Sequence, residues 1–224
     1  MLPDCERRRL SSDLFHALSQ PLTALCCSLE LVTLQQTPTA EQYRESVGRA
    51  LTQAKRASWL ATGMRELFDA GQVGEDCEVL SLRMAVESAI DDLLLVADAA
   101  GVRIRCLLRS ACPVWFEGQR LRRGLFHLLG FMVGCAGRGS VVTIELVECG
   151  EQSLLALIIS GAGRAHDQAS SSDSADDERS KELTLRLGLG IARAIFEAGG
   201  GSFRAERSLE GMSVEVRLPR AGAR

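Results

Sequence analysis

Phe15-His16-Ala17-Leu18-Ser19-Gln20-Pro21-Leu22-Thr23-Ala24-Leu25, continued by Leu29 and Val32, spaces its apolar side chains alternately three and four residues apart. The seam runs through Phe15, Leu18, Leu22, Leu25, Leu29 and Val32, and that rhythm predicts a helix with one coiled-coil face. Ser12 or Asp13 is the candidate cap at its start. The stretch Gln36-Thr37-Pro38-Thr39 ends it, because proline has no N–H to donate and restricts the residue before it.

Working outward, the same rhythm returns at Tyr43, Val47, Ala50, Ala54, Ala57, Ala61, Met64 and Phe68. Two such helices joined by a short turn make an antiparallel hairpin. Leu14 and Leu31 widen the apolar stripe on the first helix, and Leu51, Leu60 and Leu67 widen it on the second. A lone hairpin cannot bury that much apolar surface, so a homodimer forming a four-helix bundle is expected.

Beyond a polar connection at 71–77 the pattern changes. Residues 78–80 suggest a short strand, 82–100 an amphipathic helix, and 102–108 a half-buried strand. A strongly apolar helix follows at 119–136, then paired strands at 141–149 and 153–160. Residues 161–182 include Ser- and Asp-rich sequence and read as a solvated mobile loop. A helix at 183–198 and a hairpin at 202–207 and 213–218 complete the chain. The expected fold class is α+β: a helical hairpin over 1–72, then over 73–224 an α/β sandwich with helices on one face of an antiparallel strand run.

Composition narrows the function classes. The chain has 224 residues and a net charge of -3, which disfavours a general nucleic-acid binder. None of the eight cysteines forms a CxxC pair, so no structural zinc site is expected. Buried, reduced thiols are expected instead. No secretory h-region is visible, and the run 124–137, read as the longest uncharged apolar one, is too short to span a bilayer. A cytoplasmic protein without nucleic-acid or membrane partners follows.

His16 follows a seam residue and should therefore point off the core, with Gln20 one turn on and Thr23 two turns on along the same face. An exposed imidazole is largely neutral at cytoplasmic pH and keeps one ring nitrogen free as a nucleophile. Pro21 costs a helix interior roughly 3 kcal/mol, so its presence there calls for a reason. The segment from Phe15 to Leu25 resembles the H-box of bacterial sensor histidine kinases, many of which read His-Glu-Leu-x-Gln-Pro-Leu. The order of hairpin and α/β domain also resembles that family, whose second domain is a GHKL (Bergerat) ATPase. The resemblance covers about residues 10–220 and implies that His16 is a phospho-acceptor.

The ATPase half departs from the pattern. Where the family's N-box has its two asparagines, this chain has His127 and Phe131, and a phenyl ring offers no oxygen to Mg²⁺. The lysine that follows is Gly134. The adenine-reading aspartate of the G1 box is Ile159, although Gly161 and Gly163 remain. The first glycine of the G2 box is Arg186, where backbone should approach phosphate, and Gly188 is kept. These residues read as a vestigial nucleotide pocket. Ala17 stands where the H-box carboxylate assists attack on ATP.

A kept phospho-acceptor on a stripped ATPase fold resembles the dimeric histidine phosphotransferases of the ChpT type. That resemblance implies a phosphorelay: His16 takes a phosphoryl group from a receiver aspartate and passes it to another response regulator. It implies no cofactor on this chain, with Mg²⁺ on the partner receiver domain, and an upstream hybrid histidine kinase. Receiver contacts are expected at Gln20, Thr23 and Cys27, with Arg49, Lys55 and Arg56 as lesser candidates. Two alternatives stand: a working soluble histidine kinase with an atypical ATP site, and a pseudokinase that sequesters a regulator. His127 and His166 have bland readings of their own, in an apolar helix and a loop.

Overall fold

The computed structural model describes residues 4–34, 39–72, 76–108, 110–160, 174–208 and 211–222. The chain divides into two compact units, Met1–Glu66 and Leu67–Arg224, so the division falls inside the second helix rather than at 72.

The first unit is the hairpin. Helix α1 (Asp4–Leu34) begins well before Ser12 and Asp13, which therefore lie inside it and do not cap it. Helix α2 (Ala40–Ala70) opens on a reciprocal cap. The Gln42 amide N–H donates to Thr39 Oγ1 at 3.3 Å, and the Thr39 N–H donates to Gln42 Oε1 at 3.0 Å. The expected seam divides in two. Leu14, Ala50, Ala57 and Leu60 are buried, with Leu18, Leu25 and Val32 half-buried. Phe15, Leu22 and Leu29, at heptad spacing, stay exposed, as do Tyr43, Val47 and Leu51. One helix neighbour covers one side of each stripe, and the other edge of the seam faces solvent.

The expectation about the longest uncharged run is also corrected. Residues 14–29 are uncharged and outrun 124–137, and Leu14–Leu34 is long and apolar enough by composition to cross a membrane. His16, Ser19, Gln20 and Glu30 interrupt it, which suits a helix with one polar face.

The second unit contains β1 (Glu78–Ser81), α3 (Leu82–Ala100), β2 (Arg103–Leu108), β3 (Pro113–Phe116), α4 (Gly118–Cys135), β4 (Val141–Cys149), β5 (Gln152–Ser160), α5 (Ser174–Ala198), β6 (Ser202–Ser208) and β7 (Gly211–Pro219). Strand β3 was not expected; it pairs antiparallel with β1 in a small sheet. The main sheet runs β2-β4-β5-β7-β6. It is mixed rather than wholly antiparallel, because β2 lies parallel to β4. The crossover from β2 to β4 passes through α4, as a parallel connection requires.

Period-two burial gives the sheet one apolar face. Val142, Ile144 and Leu146 align with Ile159, Leu157 and Leu155, which continue to Val214 and Val216 on β7. Helices α3, α4 and α5 cover it with Leu93, Leu125, Leu128, Met132, Ile195 and Phe196, all buried. Helix α3 is well delimited. Ser81 caps its start by accepting from the Met84 N–H, and Gly101 ends it at φ 68°, a left-handed conformation that costs glycine nothing.

Helix α5 starts at Ser174, so the second half of the expected loop is helical, while 161–173, with His166, Gly161 and Gly163, lie outside the described residues. The cysteines are corrected too. Of the seven whose burial is described only Cys112 is buried, and Cys26, Cys27, Cys106 and Cys149 are exposed.

Candidate functional site

His16 lies in α1 with an exposed ring. It follows Phe15, but the buried neighbour is Leu14; the imidazole stands about 200° around the helix from that buried side chain. Gln20, Thr23 and Cys27 are four, seven and eleven residues on, share its face and are likewise exposed. The Gln20 side-chain nitrogen Nε2 lies 3.3 Å from His16 Nε2. Ser19 does not compete for the ring, because its hydroxyl donates to the Phe15 carbonyl at 2.9 Å. Pro21 is buried in the same turn and has no N–H for the Ala17 carbonyl.

From His16 to Leu29 this helix carries no formal charge. Of the basic candidates on α2, Arg49 is exposed and pairs loosely with Glu45 at 3.9 Å, Lys55 is exposed, and Arg56 is half-buried. A surface pair of that length contributes little.

The second cluster lies in the α/β unit. On α4, Phe131 is buried and His127 half-buried, with the Phe126 ring edge-on to His127 at 6.0 Å. Ile159 is buried on β5. On α5, a Cβ at Gly188 would sit 3.7 Å from the His127 carbonyl oxygen and 3.8 Å from Nδ1, so the two helices lie close there. A Cβ at Gly134 would run into the Leu185 side chain, so Leu185 fills the space that the missing side chain leaves. Arg186 is exposed.

Tested against Mg-ATP, this cluster does not fit. Phe131 and Ile159 put hydrocarbon where the resemblance places an oxygen for the cation and a carboxylate for adenine. The backbone presents a further obstacle that the sequence did not disclose. Arg186, Gly188 and Gly190 lie deep inside α5, about 18 to 24 Å along the axis from its start at Ser174. Their amide N–H groups are spent on helix bonds and cannot cradle a phosphate, which needs the unspent donors of a first turn. Among the described residues no group of three His, Cys, Asp or Glu side chains comes together to hold a metal.

Where the second unit begins, Arg120 donates through Nη2 to the Ala70 carbonyl at 2.6 Å, satisfying a terminal carbonyl of α2. Neither this bond nor the His16–Gln20 contact was anticipated, although a four-residue spacing on a helix was a usable signal for the second.

A two-helix hairpin followed by a mixed five-stranded sheet under three helices is the fold of the histidine kinases: a dimerisation and phosphotransfer hairpin, then a GHKL ATPase domain. Comparison with known proteins agrees. No family model matches the chain. Sensor protein IrlS of Burkholderia pseudomallei (strain K96243) is 24% identical over 201 residues, 87% of this chain and 43% of that protein. The chain thus spans less than half the length of that curated relative. Among solved structures, Acinetobacter baumannii histidine kinase AdeS superposes with a TM-score of 0.64 at 18% identity, over 92% of this chain and 98% of that one. Histidine kinase ThkA in complex with response regulator protein TrrA gives 0.64 at 15% identity, over 96% and 64%. The likeness is one of fold, and the chain is histidine-kinase-like in that sense.

Proposed function

We propose that this chain is a cytoplasmic histidine phosphotransferase of a two-component phosphorelay. His16 accepts a phosphoryl group from the aspartate of a receiver domain and hands it to another response regulator, without drawing on ATP. The observation that carries this is the course of α5: the residues aligned with the G2 box are interior helix, with their amides already bonded. Buried Phe131 and Ile159 support it from the other walls.

The chemistry asked of the hairpin is modest. A ring nitrogen of His16 attacks phosphorus, the new N–P bond forms, and the P–O bond to the receiver aspartate breaks, with the electron pair leaving on the carboxylate. An exposed imidazole on an uncharged helix face suits this, because a receiver must bring its own acidic cluster and Mg²⁺ against it. Gln20, Thr23 and Cys27 extend that face toward the partner. The exposed stripe of Phe15, Leu22 and Leu29 supports a homodimer, in which a second hairpin covers it. An upstream hybrid kinase would supply the first receiver.

A second reading, a working histidine kinase, is favoured by the names of the similar proteins, which are sensor and histidine kinases. Two measurements separate them. Titration calorimetry with Mg-ATP should show no binding, and incubation with a phosphorylated receiver should label His16. His16→Gln should abolish labelling and leave the circular dichroism unchanged. Micromolar Mg-ATP binding followed by labelling of His16 from ATP would establish the kinase instead.

A further inference from the structure

We propose that Gln20 is a positioning residue that fixes the tautomer of His16. The inference rests on His16 being the phosphoryl acceptor, and it assigns the acceptor atom. The Gln20 side-chain nitrogen, 3.3 Å from His16 Nε2, is a donor only. With that nitrogen facing the ring, its N–H points at the Nε2 lone pair, which corresponds to the tautomer with the ring proton on Nδ1. The four-residue spacing makes the contact repeatable, since it stacks the two side chains on one helix face.

Among the described side chains, two features leave this task to Gln20. Ala17, next along the chain, has no side-chain acceptor to hold Nδ1–H from the other side. The Ser19 hydroxyl is committed to the Phe15 carbonyl. An unassisted imidazole would distribute its proton between the two nitrogens, and the form protonated on Nε2 has no lone pair there for phosphorus.

In the transfer step, Nε2 attacks and the ring keeps its Nδ1 proton, becoming a phosphoimidazolium, while the aspartate departs as carboxylate. The Gln20 N–H, released from Nε2 as the N–P bond forms, is then within reach of a phosphoryl oxygen. Removing it should slow transfer by about the factor by which the competent tautomer is depleted, roughly fivefold.

Long-range proton–nitrogen correlation spectra of histidine-labelled protein read the tautomer directly. They should show Nδ1–H predominating at His16 in the parent chain and Nε2–H gaining in Gln20→Leu. Gln20→Glu should go further, because a carboxylate accepts from Nε2–H, and it should cut transfer more than Gln20→Leu does. Circular dichroism checks that each variant stays helical; the site is exposed, so folding should be indifferent. If His16 becomes phosphorylated while its tautomer ratio ignores Gln20→Leu, the inference fails. If the ratio moves as expected but no receiver ever labels His16, the tautomer assignment stands and the relay reading falls.

Discussion

If the exposed stripe on α1 joins two hairpins into the proposed homodimer, Leu22→Asp should break it while leaving the hairpin folded. In the single chain Leu22 keeps 44% of its surface, beside Phe15 at 58% and Leu29 at 47%. Fully burying a leucine side chain stabilises by about 1.5–3 kcal/mol, so covering the exposed part of Leu22 gives about 1 kcal/mol per copy. Twofold symmetry doubles this to about 2 kcal/mol, and Leu22→Ala should weaken the dimer about 30-fold. Aspartate adds the desolvation of a carboxylate in the seam, several kcal/mol per copy, so Kd should rise at least about a thousandfold. Leu31→Asp is the internal control: nine residues on, it lies half a turn from Leu22 and is 59% exposed on the other side. Sedimentation equilibrium from low to high micromolar protein measures all four chains, and far-ultraviolet circular dichroism confirms helicity. A parent chain that stays monomeric throughout, or a Leu22→Asp chain with an unchanged Kd, would remove the second hairpin from the account.

Gly201→Ala should destabilise the α/β unit by about 2–4 kcal/mol in urea unfolding, because its Cβ would lie 2.7 Å from the Arg217 carbonyl oxygen and 2.9 Å from that of Phe196; a loss under 0.5 kcal/mol would contradict that crowding. Partial burial, then the neighbouring Glu87 carboxylate, push the Cys106 thiol above the ordinary thiol range. Iodoacetamide should therefore label Cys106 more slowly than a free cysteine at pH 8, and Glu87→Gln should speed it. The folded state holds that proton more tightly than the unfolded chain does. The associated stability is complete below the ordinary thiol pKa and declines as pH rises toward the folded value, which alkaline unfolding curves should register. Restoring two family side chains together, Phe131→Asn with Ile159→Asp, should still give no calorimetric heat with Mg-ATP, since α5 keeps its amides bonded; measurable binding would show that those two side chains alone had been the obstacle.

Most of the fold was legible because its signals were periodic. Alternation over 141–149 and 153–160 specified strands buried on one face, and β4 and β5 run within a residue of those bounds. What escaped had no period to show. Strand β3 is four residues long and opens on Pro113, too short for alternation to register. The first turns of α5 read Ser-Ala-Asp-Asp-Glu-Arg-Ser and lack an apolar stripe, so composition spoke for a loop. In α1 the three-four rhythm was right, but Leu14 and Phe15 are adjacent and both large. Which one meets the intrachain helix is set by the rotation of the hairpin, a tertiary quantity that spacing leaves free. The exposed cysteines belong with this: Cys26 stands four residues beyond exposed Leu22, on the edge of the stripe left uncovered.

The two halves of the candidate site were legible to different degrees for a physical reason. The proposed acceptor on α1 depends on one side chain and its four-residue neighbour, and sequence spacing encodes both. A phosphate cradle depends on where a helix begins, because only the first turn has donors to give. Substituting Arg186 for glycine left that ambiguous, since a guanidinium also attracts phosphate. Starting the helix at Ser174 does not: it carries the positive pole about 21 Å away from Gly188. Gly188 and Gly190 each cost the interior of their helix about 1 kcal/mol relative to alanine. Gly188 permits close contact between helices, lying against the His127 backbone, and Leu185 is set into the gap at Gly134. The elements that the resemblance aligns with nucleotide walls meet here as a helix–helix interface, which is why the proposed phosphoryl chemistry is assigned to His16 and a partner rather than to ATP.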